Sequence, residues 1–277
     1  MKFSGTVTLQ YETPFSPFSP EEYKQGLDWL EKSGFDGAEL CISNYIGLDI
    51  SKIKTELEQR HLGCSTLSTG QARSLESISL LHDGDTLKRA QNRLLQHIDT
   101  ASLLGSKVTL GLLRGIGTPN TQQQDLYFLA KNLEPIIDYA CQKHVTIILE
   151  ALNRYETALL NNADAVMNFI EKDLGNAECM GVLWDIFHAN IEDSDFEASI
   201  DRMGSRLGHV HMADSNRMFP GYGHIDFEAI TKKLASTGFS GYMSFECFSQ
   251  PSRSVVLNEA GPFINKLRGI AERTPVH

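Results

Sequence analysis

Short apolar, β-branched runs alternate along this chain with longer stretches whose apolar residues recur three or four positions apart. Eight runs read as strands: 5–10, 37–42, 64–68, 107–113, 145–150, 181–185, 207–212 and 242–246. Amphipathic helices are expected between them. Tyr23, Leu27 and Leu30 share one helical face after Pro20, as do Leu94, Ile98 and Ala101, then Leu129, Leu133 and Ile136, then Phe227, Ile230 and Leu234. Strict alternation of strand and helix implies a parallel sheet with right-handed crossovers. Gly34-Phe35-Asp36-Gly37 and Gly238-Phe239-Ser240-Gly241 both sit between a helix and the next strand. The first glycine of each suits a helix C-cap and the second a tight entry to the strand.

An open doubly wound sheet normally places a Gly-rich phosphate turn after its first strand. Here that position reads Tyr11-Glu12-Thr13-Pro14, and residues 14–20 form a Pro/Ser loop. Eight strands in 277 residues, with no low-complexity linker, fit one closed (β/α)8 TIM barrel over 1–277, a fold that typically needs roughly 250 residues.

Composition narrows the chemistry. Hydrophobic residues at 41% and charged residues at 22% describe an ordinary globular chain. A net charge of −10 argues against nucleic acid and anionic membranes as partners, though a local cationic cluster could still receive an anionic substrate. Cys41, Cys64, Cys141, Cys179 and Cys247 are scattered and form no CxxC pair, so reduced thiols in a cytoplasmic enzyme are expected. The opening residues lack a signal-like apolar stretch, and no run approaches the roughly 20 apolar residues of a membrane span.

The last four strands end on Glu150, Asp185, His211 and Glu246, spaced 35, 26 and 35 residues apart (185 − 150, 211 − 185, 246 − 211). Each interval is one βα unit, so all four side chains reach the C-terminal rim, where this fold carries its chemistry. Three carboxylates and one imidazole suit Mn2+, with Mg2+, Co2+ or Zn2+ as alternatives. Without a cation they would repel one another. A single acidic residue after a strand is ordinarily a helix N-cap, a role Asp fills well and Glu poorly. Four such residues in register favour a shared site instead.

Further polar groups follow closely. Glu150-Ala-Leu-Asn153-Arg154-Tyr155-Glu156, Asp185-Ile-Phe-His188-Ala-Asn190 and His209-Val-His211…Asn216-Arg217 match the patterns E-x-x-N-R-[FY]-E, D-x-F-H-x-N and H-x-H…N-R. With the strand-end Glu246, they resemble the xylose isomerase-like TIM-barrel superfamily of sugar phosphate isomerases and epimerases. Within it they are most similar to the ketose 3-epimerases of the D-tagatose/D-psicose (allulose) type. The resemblance implies that Glu150, Asp185, His211 and Glu246 bind one divalent metal ion, and that Glu150 and Glu246 double as the acid–base pair. It implies that Glu156, His188 and Arg217 hold the oxygens at C1 to C3 of a small carbohydrate. It also implies a homo-oligomer, dimer or tetramer.

The expected activity is epimerisation or isomerisation of a small ketose, free or phosphorylated. One carboxylate removes the proton beside the carbonyl, a cis-enediolate forms, and the other carboxylate returns a proton. Inosose dehydratase and hydroxypyruvate isomerase share the fold and remain alternatives. An apurinic endonuclease is a remote one, since it needs more histidines and a basic groove. A sugar-binding barrel would not need two carboxylates facing each other across a metal.

Secondary candidates are less determined. Arg114 could reach a distal hydroxyl or phosphate, or form a rim ion pair. His224 could contact substrate or order its turn. His209 is expected to point away from His211 and to pack. Cys247 is expected in the core, and Glu39 faces either the barrel interior or the helices.

Overall fold

The computed structural model describes residues 1–276. Eight strands close into a parallel barrel in sequence order: β1 (Lys2–Thr8), β2 (Gly37–Cys41), β3 (Gly63–Ser68), β4 (Lys107–Leu110), β5 (Ile147–Glu150), β6 (Met180–Asp185), β7 (Leu207–Met212) and β8 (Tyr242–Phe245). Around them run α1 (Tyr23–Lys32), α2 (Ile50–Glu58), α3 (Gly70–Glu76), α4 (Gly84–Leu104), α5 (Gln122–Gln142), α6 (Ala163–Asn168), α7 (Ile186–Glu192), α8 (Phe196–Met203), α9 (Phe227–Ser236) and α10 (Arg253–Arg273). The four helices expected from apolar spacing are α1, α4, α5 and α9. Their marker residues, Leu27, Leu94, Leu133 and Leu234 among them, are buried.

β7 keeps the bounds read from the sequence, five strands shift by one or two residues at one end, and β1 and β4 shift by three. β1 begins at Lys2 and ends at Thr8, because closing the barrel pairs Lys2–Gly5 with β8 while Ser4–Thr8 pairs with β2. β4 stops at Leu110, because at Gly111 the chain leaves the ladder for a short turn over Leu112–Arg114. A Cβ on Gly111 would lie 2.5 Å from Glu150 Oε2, so only glycine lets this backbone pass the neighbouring strand end. Gly34 and Gly238 both take positive φ, +82° and +76°, as the helix-terminating role requires.

The expectation of reduced cysteines fails for one pair. Cys141, at the end of α5, and Cys179, just before β6, are joined in a disulfide with Cα atoms 5.3 Å apart. They are 38 residues apart in sequence and become neighbours only when adjacent βα units pack. Cys41, Cys64 and Cys247 are free and buried. Cysteine usage therefore gives no support to a reducing compartment. Among the described residues no helix is long and apolar enough to cross a membrane.

Candidate metal centre and active site

Each putting-in-place of a ligand begins with a strand end. β5, β6 and β7 pair so that Glu150 lies beside Leu183 and Asp185 lies beside His211, and Glu246 follows the last residue of β8. One donor atom from each of Glu150, Asp185, His211 and Glu246 lies within 4.8 Å of the others. His211 Nδ1 is the centre of the group, 3.4 Å from Glu150 Oε1, 3.6 Å from Asp185 Oδ2 and 3.3 Å from Glu246 Oε2.

Asp185 fills both roles that its position allows. Its Oδ1 caps α7 by accepting from the N–H groups of Phe187 (2.7 Å) and His188 (3.2 Å). Its Oδ2 is buried without a hydrogen-bond partner, as is His211 Nδ1, and the two face each other. Two orphaned buried donor atoms amid three carboxylates are what a divalent cation would satisfy, so the residues fit the ion.

The electrostatics agree. Burial alone would raise the Asp185 pKa, but the neighbouring His188 and His211 hold it well below the ordinary carboxylate range. Burial would lower His211, yet Glu39 and Glu246 raise it well above the usual histidine value. A proton on that imidazole would put positive charge among the three carboxylates. Burial pushes Glu246 up, with Glu150 adding to the rise and His211 and Arg217 opposing it.

A second layer lies over this group. Arg217 Nη1 donates to Glu156 Oε1 at 2.8 Å, and Nη2 lies 3.7 Å from Glu246 Oε2. His188 Nδ1 is 2.7 Å from Asn153 Nδ2 and accepts from it. That bond fixes the ring with Nε2 protonated. Nε2 has no partner, and it stands 4.0 Å from Glu156 Oε1 and 3.8 Å from Asp185 Oδ2. The structure thus gathers His188, Glu156 and Arg217 beside the four strand-end residues.

The chain is similar in sequence and fold to known proteins. The family model described as xylose isomerase-like TIM barrel matches residues 27–267. The chain belongs to the xylose isomerase-like TIM-barrel family. Within the family, D-psicose 3-epimerase of Enterocloster bolteae is 31% identical over 252 residues, 87% of this chain and 82% of that one. The 3-dehydro-D-guloside 4-epimerase of Escherichia coli (strain K12) is 26% identical over 247 residues, 86% of this chain and 92% of that one. A solved L-ribulose 3-epimerase superposes with a TM-score of 0.81 at 25% identity, covering 98% of this chain and 96% of that chain.

Other candidates of this family member land elsewhere. Arg114 is fully buried, and its guanidinium donates to the main-chain oxygens of Glu150 (2.5 Å) and Leu159 (2.9 Å). It braces the strand end that carries Glu150 and forms no ion pair among the described residues. His224 is exposed, bonds Ser215 Oγ at 2.9 Å, and lines a cavity of about 430 Å³ between α8 and α9 that contains none of the four strand-end residues. Both its ring and its main-chain N–H bond Ser215, the contact expected of a turn-ordering residue.

His209 corrects the reading that it points away from His211. Side chains alternate with period two along a strand, so positions 209 and 211 share a face. Both imidazoles point into the barrel and both reach Glu39. Cys247 is buried, as expected.

The sequence did not single out the aromatic groups around Arg217. Its guanidinium lies 4.7 Å from the Phe15 ring centroid and 4.9 Å from that of Phe187, and Phe15 stacks on Phe248. Phe187 and Phe248 each sit two residues beyond a strand-end carboxylate, which is the signal that was available. Arg217 holds a left-handed φ of +62°, a conformation costing about 1–2 kcal/mol for an L-residue. Buried Asp214 enforces that turn through bonds to the N–H groups of Ser215, Gly221 and Ile225.

Proposed function

We propose that this protein is a divalent-metal-dependent isomerase of small ketoses, most closely a ketose 3-epimerase. The carrying observation is the convergence of Glu150, Asp185, His211 and Glu246, with the Asp185 and His211 donor atoms buried and unpartnered. The names of the relatives, epimerases acting on ketoses or a dehydroglycoside, support the same reaction class. Glu150, Asp185, His211 and Glu246 would hold the ion, with Mn2+ first among the candidates. Bound there, the cation supplies charge that stabilises the enediolate oxygens.

The protein's own groups do the rest. Glu150 and Glu246 are the acid–base pair: one takes the proton beside the carbonyl and the other returns one to the opposite face. Burial raises the Glu246 pKa above the usual carboxylate value, the direction that favours a carboxyl able to hold a proton. Nε2–H of His188 and the Arg217 guanidinium donate to sugar oxygens, with Glu156 accepting from a hydroxyl. Phe15, Phe187 and Phe248 keep Arg217 in one orientation through ring stacking.

The test is solvent deuterium incorporation into a panel of free and phosphorylated ketoses, with and without chelator. Exchange at the carbon beside the carbonyl is expected, abolished by chelation and restored by Mn2+. Asp185→Asn and His211→Ala should lose the stoichiometric ion. No exchange into any ketose by metal-loaded protein would sink the reading.

A further inference from the structure

Beneath the proposed metal centre lies a buried carboxylate that the reaction does not use. Glu39 sits in the middle of β2, 1% exposed, and points into the barrel. Its Oε1 and Oε2 lie 3.2 and 3.1 Å from His211 Nε2, and Oε2 lies 3.1 Å from His209 Nε2. No lysine or arginine pairs with it among the described residues, and both imidazoles are essentially inaccessible to solvent. A carboxylate stripped of water is costly to bury unless donors replace the lost hydration. Here only two ring N–H groups do so.

We infer that Glu39 is a positioning residue for the metal-ligating histidine, holding His211 with Nε2 as donor so that Nδ1 faces the ion, while His209 anchors Glu39 from beside it. The inference rests on the proposed metal centre.

The logic follows from what each atom can do. An ionised carboxylate only accepts hydrogen bonds, so both nitrogens facing it must carry protons. With Nε2–H committed to Glu39, the other nitrogen of His211 is left to present a lone pair once it is deprotonated. That nitrogen is the one ringed by Glu150, Asp185 and Glu246 at 3.3–3.6 Å. The carboxylate also raises the electron density of the imidazole and strengthens it as a ligand. His209 lies two residues earlier on the same strand, with its ring 5.2 Å from that of His211 and nearly perpendicular to it. This places a second donor on Glu39 and removes its freedom to turn.

The three residues could alternatively be a second cation site, since their donor atoms also lie within 4.8 Å of one another. That arrangement would require His211 to ligate through both nitrogens as an imidazolate. The hydrogen-bonding account needs no such deprotonation.

Glu39→Gln separates these possibilities. Glutamine is nearly the same size but uncharged, and an NH2 in place of Oε1, 3.2 Å from His211 Nε2, sets a donor against a donor. His211 then keeps at most a neutral acceptor and loses the negative charge behind its ring. Mn2+ affinity, measured by calorimetry and by the spin-resonance signal of the free ion, is expected to weaken by about 10–100-fold, with thermal unfolding close to that of wild type. The visible spectrum of the Co2+-loaded protein should change with it. His209→Gln loosens Glu39 from the other side and should weaken Mn2+ in the same direction by a smaller factor. It also serves as the deciding variant if Glu39→Gln does not fold.

Wild-type affinity in both variants, or in His209→Gln alone where Glu39→Gln cannot be folded, overturns the inference. Two ions per wild-type chain falling to one in Glu39→Gln overturns it in favour of a second metal site. Failure of the wild type to bind any ion refutes the metal centre itself, which is a different outcome from equal binding by wild type and variant.

Discussion

Arg217→Ala separates holding the substrate from holding the metal. The guanidinium reaches Glu156 at 2.8 Å and Glu246 at 3.7 Å, is packed between the rings of Phe15 and Phe187, and is not among the residues proposed to hold the ion. Truncation removes the fixed donors proposed to hold two sugar oxygens. Small misplacement of a reacting group can cost about 100-fold, equivalent to about 2.7 kcal/mol of barrier. A second effect is independent of the first. Arg217 is one of the charges opposing the burial-driven rise of the Glu246 pKa, so removing it should raise that pKa further. A base with a raised pKa is neutralised earlier as pH falls, so the acid limb of the kcat/KM profile should move to higher pH. Arg217→Lys keeps charge but neither the plane nor the fork of donors, so it should restore much of the pH limb and little of kcat/KM. Initial rates on the responding ketose across pH, with metal analysis of each variant, make the measurement. Loss of the ion, or a near-wild-type kcat/KM with an unmoved acid limb in the alanine variant, refutes the assignment of Arg217 to the substrate.

Glu150→Gln and Glu246→Gln should each lower deuterium exchange by about 10²–10⁴-fold in folded protein, more if the ion is also lost; turnover near wild type removes that residue from the acid–base pair. Peptide mapping without reductant should recover Cys141 linked to Cys179, and reduction or Cys141→Ser should cost about 4 kcal/mol in denaturant titrations, from the 38-residue separation that the link spans. Burial pulls the His97 pKa down to about 4 from an unfolded value near 6.5, so its contribution is complete above pH 6.5 and declines as pH falls towards 4. The drop in unfolding free energy from pH 7 to pH 5 should accordingly be smaller in His97→Gln than in wild type, and an equal drop excludes His97 as its source.

The barrel was legible because its signal is repeated. Eight apolar runs and the helical spacing between them each agree with one alternating pattern, and a boundary error of a few residues in any one leaves the pattern intact. The strand-end cluster was legible for the same reason, since the βα interval forces successive strand ends to one rim. What escaped was set by packing across the barrel rather than along the chain. Nothing local joins Cys141 to Cys179, or brings Phe15 to Phe248. Arg114 looks like a rim residue by position, yet the turn after Gly111 directs it under the main chain of Glu150. His209 was a different failure: the period-two rule already placed it beside His211.

The barrel interior explains why the site and the stability of this fold occupy different layers. In many barrels the inward positions are filled by branched apolar side chains. Here Glu39, Thr66, Thr109, His209 and His211 point inward or bond one another, while Leu40, Leu67, Val108 and Val210 at alternating positions lie buried in the core shared with the helices. The apolar burial that drives folding is therefore carried largely by the layer between barrel and helices. The interior is left largely to polar contacts, with Thr66 Oγ1 at 2.8 Å from Thr109 Oγ1 and Glu39 between two imidazoles. Such bonds fix direction more strictly than apolar contacts do, because a misaligned partner leaves a buried group unpaired. A strand end can thus deliver His211 Nδ1 to within 3.6 Å of three carboxylates because the ring is held from below by Glu39, and the helical layer keeps the strands from shifting.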